Sequence, residues 1–236
     1  MGTNEQILGV LNGAILDALK RQPKSKAINS IGLFIDGQYY YLLDKAVQEK
    51  HNRQVKLRGL MDYIQKSIAA RYSLDESSCI VTETHFFRGR MSAKDAEERD
   101  LLLKERMFED RLIANDVVLH YKPVYFLPNG TPHEKAVDVW FALEAYELAL
   151  FRDFDFIVMI TGDADYEMLA RKIKSLKKPA ILLSWHYDEQ DPTAKDLKDE
   201  ISFPININEM LANPVINAND KFLKYLTEPI PGKPKK

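Results

Sequence analysis

Apolar residues along this chain fall into short bounded runs that alternate with stretches of helical spacing, and one stretch shows the pattern in full. Phe156 to Ile160 is an apolar run of strand length, broken by Thr161-Gly162-Asp163. Tyr166 to Leu176 then carries apolar residues at helical spacing before a second run, Ala180 to Leu183. The spacing predicts strand, helix, strand, a unit that joins parallel strands by a right-handed crossover. Ile31 to Ile35 repeats the opening of that unit and ends in Asp36-Gly37, with helices predicted over Gln38 to Val47 and Leu57 to Tyr72. From Cys79 to Phe87, Ile80, Thr82, Thr84 and Phe86 alternate with Val81, Glu83, His85 and Phe87, as on the two faces of a strand.

The remaining pattern is less regular. Ser92 to Arg106 is dense in mixed charge, which predicts a solvated helix or a mobile excursion, continued by Leu112 and Ile113. Val117 to Tyr121 reads as another strand. Three prolines, Asn129 and Gly130 make Lys122 to His133 a loop. Lys135 opens the helix AVDVWFALEAYELALF, apolar on nearly every side and therefore expected to be buried. Tyr187 to Asp199 is polar and expected to be mobile, Phe203 to Ile207 is a last strand, and Asn208 to Leu211 a short helix or turn.

This pattern divides the chain into three parts. Residues 1–29 form an N-terminal helical extension, since Gln6 to Leu19 places Ile7, Leu8, Val10, Leu11, Ile15, Leu16 and Leu19 on an amphipathic period. Such a helix covers an edge of the domain or pairs two copies into a homodimer. Residues 30–212 are the α/β domain. Residues 213–236, ending PIPGKPKK, are expected to be a partly disordered tail.

Composition narrows the classes of function. A single cysteine, Cys79, rules out an intrachain disulfide and gives no sign of secretion, so a cytoplasmic location is the default. Asn12, Asp17 and Lys20 interrupt the N-terminal apolar stretch, so no membrane segment is expected. The formal net charge of -2 excludes a generally basic surface, and a nucleic acid would have to be held by a local patch. Neither a P-loop, nor GxGxxG, nor a zinc-like cysteine and histidine spacing is present.

The candidate chemistry lies at the strand ends. In open α/β sheets ligands bind outside the carboxyl ends of the strands, where Asp36, Asp163 and Asp165 fall. Two carboxylates a residue apart before a helix repel each other unless protons, donors or a cation relieve them, and a hard divalent cation does so economically. Asp165 can instead cap the following helix. Asp138, in a first helical turn, is favoured there by the helix dipole alone, but its expected burial makes a partner necessary.

Three blocks, IGLFIDGQYYYLL, EKAVDVWFALEAYELA and FDFIVMITGDADYEMLARKIKSLKKPAILLSW, together resemble the NYN domains, a PIN-like nuclease group that includes the LabA-like proteins. The resemblance runs over about Ile31 to Met210. It implies a three-layer α/β/α sandwich around a mainly parallel sheet, an acidic pocket holding magnesium or manganese, and phosphodiester hydrolysis, typically of RNA. Asp36 matches the family's first-strand aspartate, Asp138 that of its KxxD helix start, and Asp163 and Asp165 those of its SGDxDF motif. Two positions depart: Tyr39 stands where the family often has asparagine, and Glu144 where it often has a further aspartate.

On that resemblance, Asp36, Asp138, Asp163 and Asp165 hold one or two Mg2+ or Mn2+ ions that activate water. Thr161 is placed to hydrogen-bond a metal-bound water or phosphate oxygen, Lys135, Arg88 and Arg90 to grip phosphates, and Tyr39 with Tyr40 to stack on single-stranded bases. The duller roles are a surface lysine for Lys135, solvated charge for both arginines, packing for both tyrosines, and ordinary polar or half-buried positions for His85, His120, His133 and His186. Three functions stay open: a metal-dependent ribonuclease, an RNA-binding or regulatory module that cleaves little, and a small phosphatase.

Overall fold

A computed structural model describes residues 28–185 and 195–231. Its centre is a six-stranded sheet of β1 (Asn29–Asp36), β3 (Cys79–Arg90), β4 (Val117–Pro123), β7 (Phe156–Ile160), β8 (Ala180–Ser184) and β9 (Phe203–Asn206). Every neighbouring pair is parallel, in the order β4-β3-β1-β7-β8-β9. The chain runs outward from β1 to β3 and β4, then crosses back to β7 and continues the other way. The order therefore reverses between β1 and β7, where an α/β sheet opens a crevice.

Alternation along β1 explains why the sheet needs cover on both sides. Ile31, Leu33 and Ile35 enter one core, whereas Phe34 enters the other, and all four are fully buried. The first core is closed by α1 (Gly37–His51), α2 (Leu57–Tyr72), α4 (Leu102–Ile113), α8 (Ile207–Ala212) and α9 (Lys221–Leu226), with β2 (Arg53–Val55) at its margin. The second is closed by α5 (Val137–Phe151), α6 (Glu167–Ser175) and α7 (Lys195–Glu200). This is the three-layer α/β/α architecture.

α1 begins immediately at the end of β1, because Asp36 caps it by accepting from the amides of Gln38 and Tyr39 at 3.0 and 3.3 Å. A side chain at Gly37 would place its Cβ 2.6 Å from the Phe87 carbonyl oxygen, so only glycine lets the helix start this close to β3.

Four expectations are corrected. Lys122 to His133 is not all loop: β5 (Tyr125–Phe126) and β6 (Pro132–His133) pair antiparallel within it. The helix at 137–151 is buried on one side only, through Val137, Phe141, Ala145 and Ala149, and leaves Val139, Leu143, Leu150 and Phe151 exposed. Within 187–199, α7 is ordered by Leu197, which is fully buried, while 186–194 lie outside the described residues. The domain does not end at 212 either. Residues through Pro231 fold back onto it, with Phe222, Leu223 and Leu226 buried and β10 (Thr227–Pro229) paired antiparallel to β2. Spacing at i, i+1 and i+4 marks these as a helix face, which the proline and lysine content of the segment obscured. The expected helix from Gln6 to Leu19 lies outside the described residues.

Candidate metal centre

The reversal between β1 and β7 brings together the ends of two strands far apart in sequence. β1 finishes in Asp36, and β7 finishes one residue before Thr161, with Ile35 and Ile160 in register. Thr161, fully buried, donates from Oγ1 to Asp36 Oδ2 at 3.0 Å and accepts from the Asp163 amide at 3.3 Å. One hydroxyl thus ties the first-strand acid to the turn that carries the second.

That turn is a short 3-10 helix, Ala164–Tyr166, leading into α6. Its cap is Asp163, whose Oδ1 accepts from the Asp165 amide at 3.0 Å, so the capping role considered for Asp165 belongs to Asp163. Asp165 is exposed inside the turn. Asp138 arrives from a third element, the first turn of α5, where it is exposed rather than buried as expected because the helix buries only the face turned to the sheet, and it accepts from the Tyr166 hydroxyl at 3.4 Å.

The charges of these groups bear on one another. Burial raises the Asp36 carboxyl above its ordinary value, against the three hydrogen bonds it accepts, and Asp138 raises it further. Asp138 is raised by partial burial and then by Asp163 and Asp165. The Tyr166 phenol, buried, is pushed up by burial and then by Asp36, Asp138 and Asp163 together. Among the described residues, no lysine or arginine stands among the larger influences on Asp36 or Asp138.

Among the described residues, no three acidic, histidine or cysteine side chains already form a ligating group. The donor chemistry nonetheless fits a hard divalent ion: the side chains are oxygen-only ligands, and burial raises two of them, Asp36 and Asp138, each raised further by a neighbouring carboxylate. Asp36 and Asp163 each use one carboxylate oxygen, Oδ1, as a helix cap, and a carboxylate retains further lone pairs for an ion.

The profile of the NYN domain matches residues 30–208. The chain belongs to the NYN-domain family, within the PIN-like superfamily. A solved structure of a protein of unknown function from Vibrio parahaemolyticus RIMD 2210633 is similar at 19% identity with a TM-score of 0.53, covering 78% of this chain and 96% of that one. At that identity the likeness concerns the fold. No curated protein matches the chain. The NYN profile ends at 208, so the packed segment 213–231 lies beyond it.

The other residues singled out from this NYN chain's sequence are placed differently. Arg88 is paired with both oxygens of Glu105 at 2.7 and 2.6 Å, and Arg90 with Glu109 at 2.5 Å. Both guanidinium groups thus tie β3 to α4, with the Arg90 side chain 40% exposed. Lys135 is exposed just before α5. Tyr39 donates its hydroxyl to the Trp185 carbonyl at 3.3 Å and accepts from the Trp185 amide at 3.2 Å, while Tyr40 is core, edge-on to Phe86. Glu144 accepts from Trp140 Nε1 at 3.1 Å.

Sequence reasoning missed two relationships. Tyr166, expected at a helix start and within the family's SGDxDF motif, donates its hydroxyl to a third aspartate, Asp138. His85 Nδ1 and His120 Nε2 are 3.0 Å apart in the second core, between the rings of Phe34 and Phe87, and burial lowers both. Strands β3 and β4 pair Phe87 with His120, so the two histidines lie diagonally on one face, a relation visible only once the register is known.

Among the described residues, no helix is long and apolar enough to cross a membrane.

Proposed function

We propose that this NYN protein is a metal-dependent ribonuclease that hydrolyses phosphodiester bonds of single-stranded RNA in the cytoplasm. The observation that carries the proposal is the tie of Asp36 to the Asp163 turn through Thr161 at the β1/β7 reversal, where burial and then Asp138 raise Asp36, and burial and then Asp163 and Asp165 raise Asp138. Asp36, Asp138, Asp163 and Asp165 would hold Mg2+ or Mn2+. Such an ion supplies Lewis acidity and lowers the pKa of water at the phosphoryl centre.

The chain's own residues do the rest. Thr161 orients Asp36 and fixes the Asp163 turn relative to it. Tyr166 holds Asp138 in the hollow through its phenolic proton. Lys135, exposed ahead of α5, is placed to meet a phosphate entering beside Asp138.

A second reading is an RNA-binding NYN module with little cleavage. It is favoured by one observation: Tyr39 stands where the family often has asparagine, and its hydroxyl is engaged by the Trp185 backbone.

Labelled single-stranded RNA incubated with purified protein separates the two. The ribonuclease reading expects cutting in Mg2+ or Mn2+, none in EDTA, and a loss of at least about a hundredfold in Asp163→Asn. RNA binding with no metal-dependent cutting would establish the module instead.

A further inference from the structure

Helix α5 carries two apolar faces, and among the described residues only one has the hydrophobic core packed on it. Val137, Phe141, Ala145 and Ala149 enter the second core, whereas Val139 and Leu143 are 59% and 64% exposed and Leu150 49%. Val139, Leu143 and Leu150 fall at i, i+4 and i+11 on one side of the helix, with Tyr146 between them half-buried against the second core. An apolar line of this length on a surface helix marks a contact to be made.

We propose that this line is the docking site of the chain's own segment from Gln6 to Leu19. The segment lies outside the described residues, but its sequence puts Leu8, Leu11, Ile15 and Leu19 at i, i+3, i+7 and i+11, nearly the spacing of the outward face. As a helix it would be roughly 21 Å long, against about 22 Å for the 15 residues of α5.

The attachment point agrees. The described chain enters β1 at Asn29, and the next residue, Ser30, donates its amide to Asp155 Oδ2 at 2.8 Å and accepts from the Asp155 amide at its carbonyl at 2.8 Å. Asp155 lies four residues past Phe151, the last residue of α5. The segment is therefore tethered at the foot of the helix it would cover. The polar linker, residues 20–28, spans up to roughly 30 Å, enough to reach either end of α5. Tethering of this kind gives an effective concentration on the order of millimolar, above that of a second copy in dilute solution, which is why the chain's own segment is the favoured occupant. Since Val139 adjoins Asp138, one end of the docked segment would flank the acidic hollow. The inference does not depend on whether that hollow cleaves RNA.

Hydrogen exchange on the full chain, read peptide by peptide alongside sedimentation, tests it. Peptides over 6–19 should be protected at monomer mass. In the double variant Leu143→Glu with Leu150→Glu they should exchange at least about tenfold faster, the scale set by losing one leucine-sized contact. Peptides of β1 and β7 should be unchanged, and Leu42→Glu, at an exposed position on α1, should leave 6–19 protected. The converse variant, Leu11→Glu with Ile15→Glu, should speed exchange of α5 and provides the test if the first variant fails to fold. The proposal is overturned if 6–19 is unprotected in the natural chain or stays protected in the α5 variant. Protection lost on dilution together with dimer mass would overturn it in favour of a second copy.

Discussion

Thr161 donates a 3.0 Å hydrogen bond to Asp36 across 125 residues of sequence. The bond closes the point where the sheet order reverses, and it leaves Thr161 Oγ1 to accept from the Asp163 amide. Because this bond holds the Asp36 carboxyl down against the effect of burial, its removal has a predictable sign. Thr161→Val keeps the shape and deletes the hydroxyl. The variant should be less stable by about 1–2 kcal/mol in urea unfolding. The acid limb of its cleavage rate should move to higher pH, since Asp36 then ionises later. A limb that stays in place would detach Thr161 from the chemistry.

The contribution of Asp36 and Asp138 to the stability of the metal-free protein should fall as pH rises through the carboxylate range, opposite in sign to that of Asp62, Asp75 and Glu200, whose values are lowered. Asp36 and Asp138 have folded values above the ordinary 3.8, mainly through burial, so the folded state binds more protons than the unfolded one between those values. The slope of stability with pH is negative wherever that holds. These two groups therefore oppose folding most fully above their folded values, a penalty that protonation removes. Asp36→Asn, which keeps a capping side chain, should raise the neutral-pH melting temperature of metal-free protein and flatten that dependence. Saturating Mn2+ should raise the melting temperature of the natural chain but not of the variant.

The two arginines of β3 should prove structural. Arg88 and Glu105 are 12% and 17% exposed, and removing one partner strands the other charge. Arg88→Met should cost about 3 kcal/mol of stability, with much of it recovered in the double variant carrying Glu105→Met. RNA affinity of the folded variants should stay within about twofold of the natural chain. A loss of RNA affinity in the double variant, with stability recovered, would return Arg88 to the substrate.

Lys135 is the residue from which a phosphate contact is expected. Lys135→Ala should reduce the dependence of log K on log salt for single-stranded RNA by about 0.7, the value for one phosphate. An unchanged slope would leave it a surface lysine.

The site was legible in the sequence where a sheet makes local pattern and position coincide. A five-residue apolar run ending in Thr161-Gly162-Asp163 says strand end, and Ile31–Asp36-Gly37 says the same, so both acids could be placed on one sheet edge before any pairing was known. Asp138 came through the family motif, since a first-turn acid has a sufficient reason in the helix dipole. Partners chosen by packing were not legible. A run dense in both charges does not reveal that Glu105 and Glu109 take Arg88 and Arg90, and β-alternation does not disclose the offset that brings His85 to His120. In α5 the apolar content of two opposite faces was read as burial all round, although a helix lying on one side of a sheet buries only the face turned to it.

Mn2+ titration of the purified protein at neutral pH tests the convergence of the acids most directly. The natural chain should bind the ion, and Asp36→Asn and Asp163→Asn should each weaken that binding at least about tenfold, since each would remove a charged oxygen ligand from a common site. Affinity unchanged by either substitution would mean that the ends of β1 and β7 do not serve one ion.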